Sequence, residues 1–175
     1  MRLFFAVQLP DGARAALSAL PRGPGVSWTR AEQLHFTLAF LGEQPDASLA
    51  LRAGEAVRGL RRFELAVGGA GAFPSPRKPR VLWLGALAGG PQLCFVAERL
   101  GAALREHGFT LDARPFQPHL TLGRVRPGGE RGAAGALAAL PAGELARFRV
   151  DEVQLMQSIL GPGGARHLHL HSFPL

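Results

Sequence analysis

Two short motifs hold the residues able to do chemistry: His35-Phe36-Thr37-Leu38 and His119-Leu120-Thr121-Leu122. They lie 84 residues apart in a chain of 175, close to half its length. With six His and four Thr, chance supplies about 0.14 His-x-Thr triplets, so a matched pair is informative where a single copy is not. In a β-strand, residues i and i+2 share a face, about 6.5–7 Å apart. His35 and Thr37 therefore point one way, and Phe36, Leu38 and Phe40 the other, towards a core. His119 and Thr121 likewise stand opposite Leu120 and Leu122. Two such strands facing one cleft bring together two imidazoles and two hydroxyls. Imidazole titrates near neutrality, so one ring can accept a proton while the other donates one. The hydroxyls can donate hydrogen bonds to non-bridging phosphoryl oxygens as charge builds there. The set suits in-line displacement at phosphorus without a metal.

The elements around the motifs repeat. Met1–Leu9 is an apolar run closed by Pro10-Asp11-Gly12, a buried strand and a turn. Asp11 is placed to cap a helix carrying Ala13, Ala16, Leu17 and Leu20. Gln33–Leu41 is a strand, Asp46 caps a helix with Leu49, Ala53, Val57 and Leu60 on one face, and Phe63–Val67 is a third strand. Gly68–Pro79 has the composition of a loop. The order then recurs: strand Arg80–Leu87, a helix opened by Pro91 and stopped at Gly108, strand Pro118–Val125, an Ala-rich helix near Gly132–Leu140, and strand Arg147–Gln157. A last strand, Ala165–Phe173, closes the chain. Strand–helix–strand–helix–strand thus occurs twice, which predicts one unit over 1–175 built from approximate repeat halves 1–78 and 79–175.

Composition narrows the class. Apolar residues make up 47% and charged residues 19%, which excludes a disordered chain. The apolar run Leu3–Val7 is too short for a membrane span or a signal core, so a soluble cytoplasmic protein is expected. A single cysteine, Cys94, excludes a disulfide framework. Twenty basic against thirteen acidic residues leave +7, and a positive field draws in polyanions. Nineteen of the twenty are Arg, with Lys78 the only Lys, and the chain has no Asn or Tyr and one Ile. A GC-rich coding sequence accounts for that bias better than for the net charge.

With these motifs in place, the sequence resembles the two-histidine (2H) phosphoesterases, and within them the bacterial and archaeal RNA 2′,3′-cyclic phosphodiesterases, also called 2′-5′ RNA ligases. The resemblance runs from Met1-Arg2-Leu3-Phe4-Phe5-Ala6-Val7 through Gln33–Gly42, Gly71-Ala72-Phe73-Pro74, Pro79–Gly85 and Arg114–Arg124 to Phe173-Pro174-Leu175. It implies an α+β fold of two pseudo-symmetric lobes, each with an antiparallel sheet and helices, around a central groove. It implies that His35 is the proton donor and His119 the acceptor, with Thr37, Thr121 and Arg124 on the phosphate. Strict alternation would turn Arg124 away from His119, and a bulge at Gly123 would restore it. The last strand departs from the family, whose members often carry Tyr where this chain has His167. The implied activity is hydrolysis of RNA 2′,3′-cyclic phosphates to 2′-phosphates, with reversible 2′-5′ ligation when an RNA 5′-hydroxyl replaces water. The implied partners are RNA ends or nucleoside 2′,3′-cyclic phosphates, acted on by a monomer without cofactor, metal or membrane. A non-catalytic basic RNA-binding module is the alternative.

Other motifs compete less well. His167, His169 and His171 alternate, which puts three imidazoles on one strand face, and His-x-His can bind zinc, but no carboxylate accompanies them. Gly68-Gly69-Ala70-Gly71 and Gly161-Pro162-Gly163-Gly164 lack the spacing of phosphate-cradling loops and fit turns. Arg58, Arg61 and Arg62, and Arg77, Lys78 and Arg80, are patches for an RNA backbone or plain solvated charge. Phe4, Phe5, Trp28 and Phe73 could stack on bases but fit core packing better.

Overall fold

An apolar run without alternation needs both faces of its strand covered. In the computed structural model, which describes residues 1–162 and 164–175, that run becomes β1 (Arg2–Gln8). Leu3, Phe5 and Val7 enter the main core, while Phe4 and Ala6 join Met156 in a small second cluster. Then come α1 (Asp11–Ser18), β2 (Val26–Trp28), a 3₁₀ turn at Ala31–Gln33 and β3 (His35–Glu43). Next, α2 (Ser48–Gly54) runs into a second 3₁₀ turn, Glu55–Val57, and β4 (Phe63–Ser75) and β5 (Lys78–Ala88) form a long hairpin. They are followed by α3 (Gly90–Glu106), β6 (Leu120–Val125), α4 (Glu130–Ala139), β7 (Glu144–Val150), β8 (Glu152–Gly161) and β9 (Gly164–Pro174). Leu93, Val96, Ala97, Leu100 and Leu104, at helical spacing, lie on the buried face of α3. Among the described residues no helix is long and apolar enough to cross a membrane.

The strands pair antiparallel in the order β7-β4-β5-β6-β3-β1-β8-β9, with β2 added beside β6. Two ladders, β7-β4-β5-β6 and β3-β1-β8-β9, meet at one pair, Phe36 with Leu120. These are the second positions of the two motifs, so a local pseudo-twofold axis passes between them. Both side chains are fully buried. Alternation therefore sends His35, Thr37, His119 and Thr121 to the opposite side, onto one face. Where two separate sheets around a groove were expected, hydrogen bonding joins them through this single pair. Each ladder also mixes the repeat halves: β4 lies between β5 and β7, while β8 and β9 lie beyond β1.

Leu38 and Leu122 are matched β-bulges. The β1–β3 register steps from Phe5↔Ala39 to Ala6↔Thr37, and the β5–β6 register from Leu82↔Gly123 to Trp83↔Thr121. Each extra residue reverses the alternation beyond it. Phe40, expected in the core, is instead paired with Phe4 on the motif face; it is 47% exposed, with the Arg2 guanidinium 4.9 Å from its ring centre. Arg124 is restored to the Thr121 face, by a bulge at Leu122 and not at Gly123. A further bulge at Leu170 splits the tail histidines. His167 and His169 share the face of Ser158 and Met156, whereas His171 pairs with Leu155 and rests against Phe173. The expected face of three imidazoles does not form.

Three expectations about elements are corrected. Gly68–Pro79 is not a loop: β4 runs through it to Ser75. Gly71 lies under the Trp83 indole, where a Cβ would collide with the ring, so this glycine serves close packing. Arg147–Gln157 breaks at Asp151 into β7 and β8, which belong to different ladders. The Asp151 carboxylate pairs with Arg149 at 2.9 Å and Arg62 at 3.8 Å. Asp11 sits inside the first turn of α1, with Pro10 in the cap position, whereas Asp46 does accept the Ser48 amide at 2.7 Å. Gly163, part of the expected Gly161–Gly164 turn, lies outside the described residues.

Candidate active site

The two motif histidines are held alike. The Nδ1–H of His35 donates to the Gln33 carbonyl at 2.6 Å, and that of His119 to the Gln117 carbonyl at 2.8 Å. A carbonyl can only accept, so Nδ1 carries the proton in both rings and Nε2 is left to exchange one. The Thr37 hydroxyl lies 3.0 Å from His35 Nε2 and donates to it while the ring is neutral. Each ring also leans on a phenylalanine: Phe4 lies 5.2 Å from His35, and Phe73 meets His119 edge-on at 5.1 Å. Phe73 is itself backed by Trp83 at 5.1 Å, so it packs against the site.

The environments differ more than the bonds. Burial pushes the His35 imidazole down to about 4; the Gln33 carbonyl pulls it partly back, and positive charge on His167 or His119 lowers it further. His119 is exposed. Unliganded, the site therefore holds His35 neutral near pH 7.

Of the expected site residues, His35, Thr37, His119 and Thr121 come together on one face across the Phe36–Leu120 pair. Arg124 stands on that same face, exposed, opposite Val81 and Ser27. Sequence reasoning missed the carbonyls of Gln33 and Gln117, although the signal was present: Gln stands two residues before each His, so the repeat is Gln-x-His-x-Thr-Leu. It also left His167 without a role. That ring meets His35 edge-on at 5.1 Å and Phe4 at 4.9 Å, and burial lowers its ionisation too. The Gln33 side chain donates to the Ala165 carbonyl. Since β9 lies three strands from β3, these contacts require a ladder coiled tightly enough to fold the start of β9 over the His35 face. Among the described residues no group of three or more His, Cys, Asp or Glu is placed to hold a metal ion.

The sequence model of the 2′-5′ RNA ligase superfamily matches residues 9–161. A curated relative from Methanothermobacter thermautotrophicus, named RNA 2′,3′-cyclic phosphodiesterase, is 34% identical over 187 aligned positions, covering 100% of this chain and 99% of its own. The crystal structure of TT0787 of Thermus thermophilus superposes with a TM-score of 0.81 at 31% identity, covering 100% of this chain and 98% of the other. That of Escherichia coli LigT complexed with 3′-AMP gives 0.78 at 29% identity, covering 99% and 97%.

Proposed function

Because the chain belongs to the 2′-5′ RNA ligase superfamily, we propose that it opens 2′,3′-cyclic phosphates at RNA ends to 2′-phosphates by two-histidine acid–base catalysis. The observation that carries this is the pair of imidazoles across the Phe36–Leu120 axis, each with Nδ1 fixed on a carbonyl and Nε2 left to exchange a proton. In this reading His119 Nε2 takes a proton from the attacking water as the water oxygen bonds to phosphorus. His35 Nε2 gives its proton to the ribose 3′-oxygen as the P–O3′ bond breaks. Thr37, Thr121 and Arg124 hold the non-bridging oxygens as charge develops. His35 is neutral in the empty site, so the proton must arrive with the substrate: an anionic phosphate beside the ring favours the imidazolium. Replacing water with an RNA 5′-hydroxyl runs the same proton transfers towards a 2′-5′ linkage.

RNA ends and free nucleoside 2′,3′-cyclic phosphates are the substrates such a site accepts, and the reaction requires no cofactor. The naming of the curated relatives as RNA 2′,3′-cyclic phosphodiesterases supports the reading. The test is incubation with nucleoside 2′,3′-cyclic phosphates in chelator, followed by identification of the product isomer. The 2′-phosphate is expected. A 3′-phosphate, or turnover that returns only with added metal, would overturn it.

A further inference from the structure

Beyond His167, on the side away from His119, lies a cleft of about 530 Å³. That is within the roughly 300–1,000 Å³ of small-molecule sites. Its walls are the end of β1, Arg14 of α1, Glu32 of the first 3₁₀ turn, the β7–β8 junction, the start of β8 and the β9 residues His167 and His169. Two of the four buried side-chain polar atoms without a hydrogen-bond partner among the described residues, Arg14 Nε and His167 Nδ1, belong to residues that line it.

Its acidic groups outnumber its basic ones. Arg14 and Arg149 stand against Glu32, Asp151 and Glu152, so the cleft does not attract a second phosphate. Its hydrogen-bonding groups suit a neutral, flat ligand with a polar edge. The Gln8 side-chain carbonyl accepts from Arg14 at 3.1 Å, and the Gln154 amide donates to Glu152. Those bonds leave an N–H of Gln8 and the carbonyl of Gln154, one donor and one acceptor, for the edge of a heterocycle.

We propose that this cleft, with His167 as its wall towards the reaction, binds the nucleoside that carries the cyclic phosphate. The inference rests on the proposed function, which fixes the direction. The departing 3′-oxygen belongs to the ribose and takes its proton from His35, so the ribose lies on the His35 side of the phosphorus. His167, edge-on to His35, is the next group the nucleoside meets. The base then passes into the cleft, and the water or the 5′-hydroxyl enters from the His119 side. The two ladders thereby take opposite ends of a 2′-5′ junction.

The test compares a nucleoside 2′,3′-cyclic phosphate with ribose 2′,3′-cyclic phosphate, which has no base. Gln154→Leu removes the acceptor, and His167→Phe keeps the packing against Phe4 and His35 while removing the ring nitrogens. Both should raise KM for the nucleoside substrate about five- to tenfold, the size of one lost hydrogen bond, with a smaller loss on the base-free one. His171→Ala, across the sheet against Phe173, serves as the control. Equal losses on both substrates, or a fall confined to kcat, would overturn the subsite and make His167 a positioning residue for His35. If the unaltered protein turns over neither substrate, the proposed function falls, and this inference with it.

Discussion

The two motif histidines share a bond to a Gln carbonyl, part-buried at His35 and exposed at His119, and that difference is testable. His35→Ala and His119→Ala should each slow turnover by about 10²–10⁴. The double variant should fall well short of the product of the two losses, because a proton donor is of little use without its acceptor. With an activated leaving group in place of the ribose oxygen, His35→Ala should be largely rescued and His119→Ala should not. The opposite pattern would exchange their roles. Burial also makes His35 a pH-dependent element of stability. The unfolded chain binds a proton there below its ordinary 6.5, while the folded chain resists until about 4. Its contribution is therefore complete above pH 6.5 and is lost as pH falls through that window, by about 2 kcal/mol at pH 5. Urea unfolding of the unaltered protein should weaken by that much more than His35→Asn between pH 8 and pH 5. Parallel pH profiles would show that the ring is solvated.

At the scale of elements, alternation located the motif strands but failed beyond each bulge. The matching Leu38 and Leu122 were visible as residues, yet nothing in a Leu marks an extra unpaired position. Phe40 and His171 were consequently placed on the wrong faces. The glycines of β4 misled for a related reason: glycine opens loops, but it also lets a strand pass beneath a ring such as Trp83. The reverse holds for the motif core, where the alternation of His and Thr with apolar residues announces the shared face. Gly123 shows how tightly the second bulge is built. A Cβ there would come within 2.6 Å of Val26 Cγ1 and 2.9 Å of the Ser27 carbonyl on β2. The Val26 side chain can shift, but the Ser27 backbone cannot move without loosening β2 from β6. Gly123→Ala should therefore cost about 1–3 kcal/mol, read as a lower denaturation midpoint with an unchanged slope. Full stability would mean that β2 is not seated against β6 as described.

Across the whole molecule, the arginines are not equally free to meet a polyanion. Arg14, Arg58, Arg62, Arg114, Arg147 and Arg149 are matched to carboxylates in ion pairs. Arg124 is in no ion pair among the described residues and stands on the motif face, beyond the Leu122 bulge. The net +7 raises encounter with any polyanion, but only cations that displace counterions from a bound phosphate set the salt dependence. For single strands, log K falls with log salt by about 0.7 for each phosphate neutralised. Binding of a short RNA ending in a 2′,3′-cyclic phosphate should therefore weaken steeply with salt, and Arg124→Ala should flatten the slope by about 0.7 whatever the base sequence. Arg114→Ala should leave the slope unchanged, because that guanidinium is already held by Asp112 at 2.5 Å. If both variants kept the full slope, Arg124 would lie outside the phosphate contacts, and its return to the motif face by the bulge would have no bearing on the substrate.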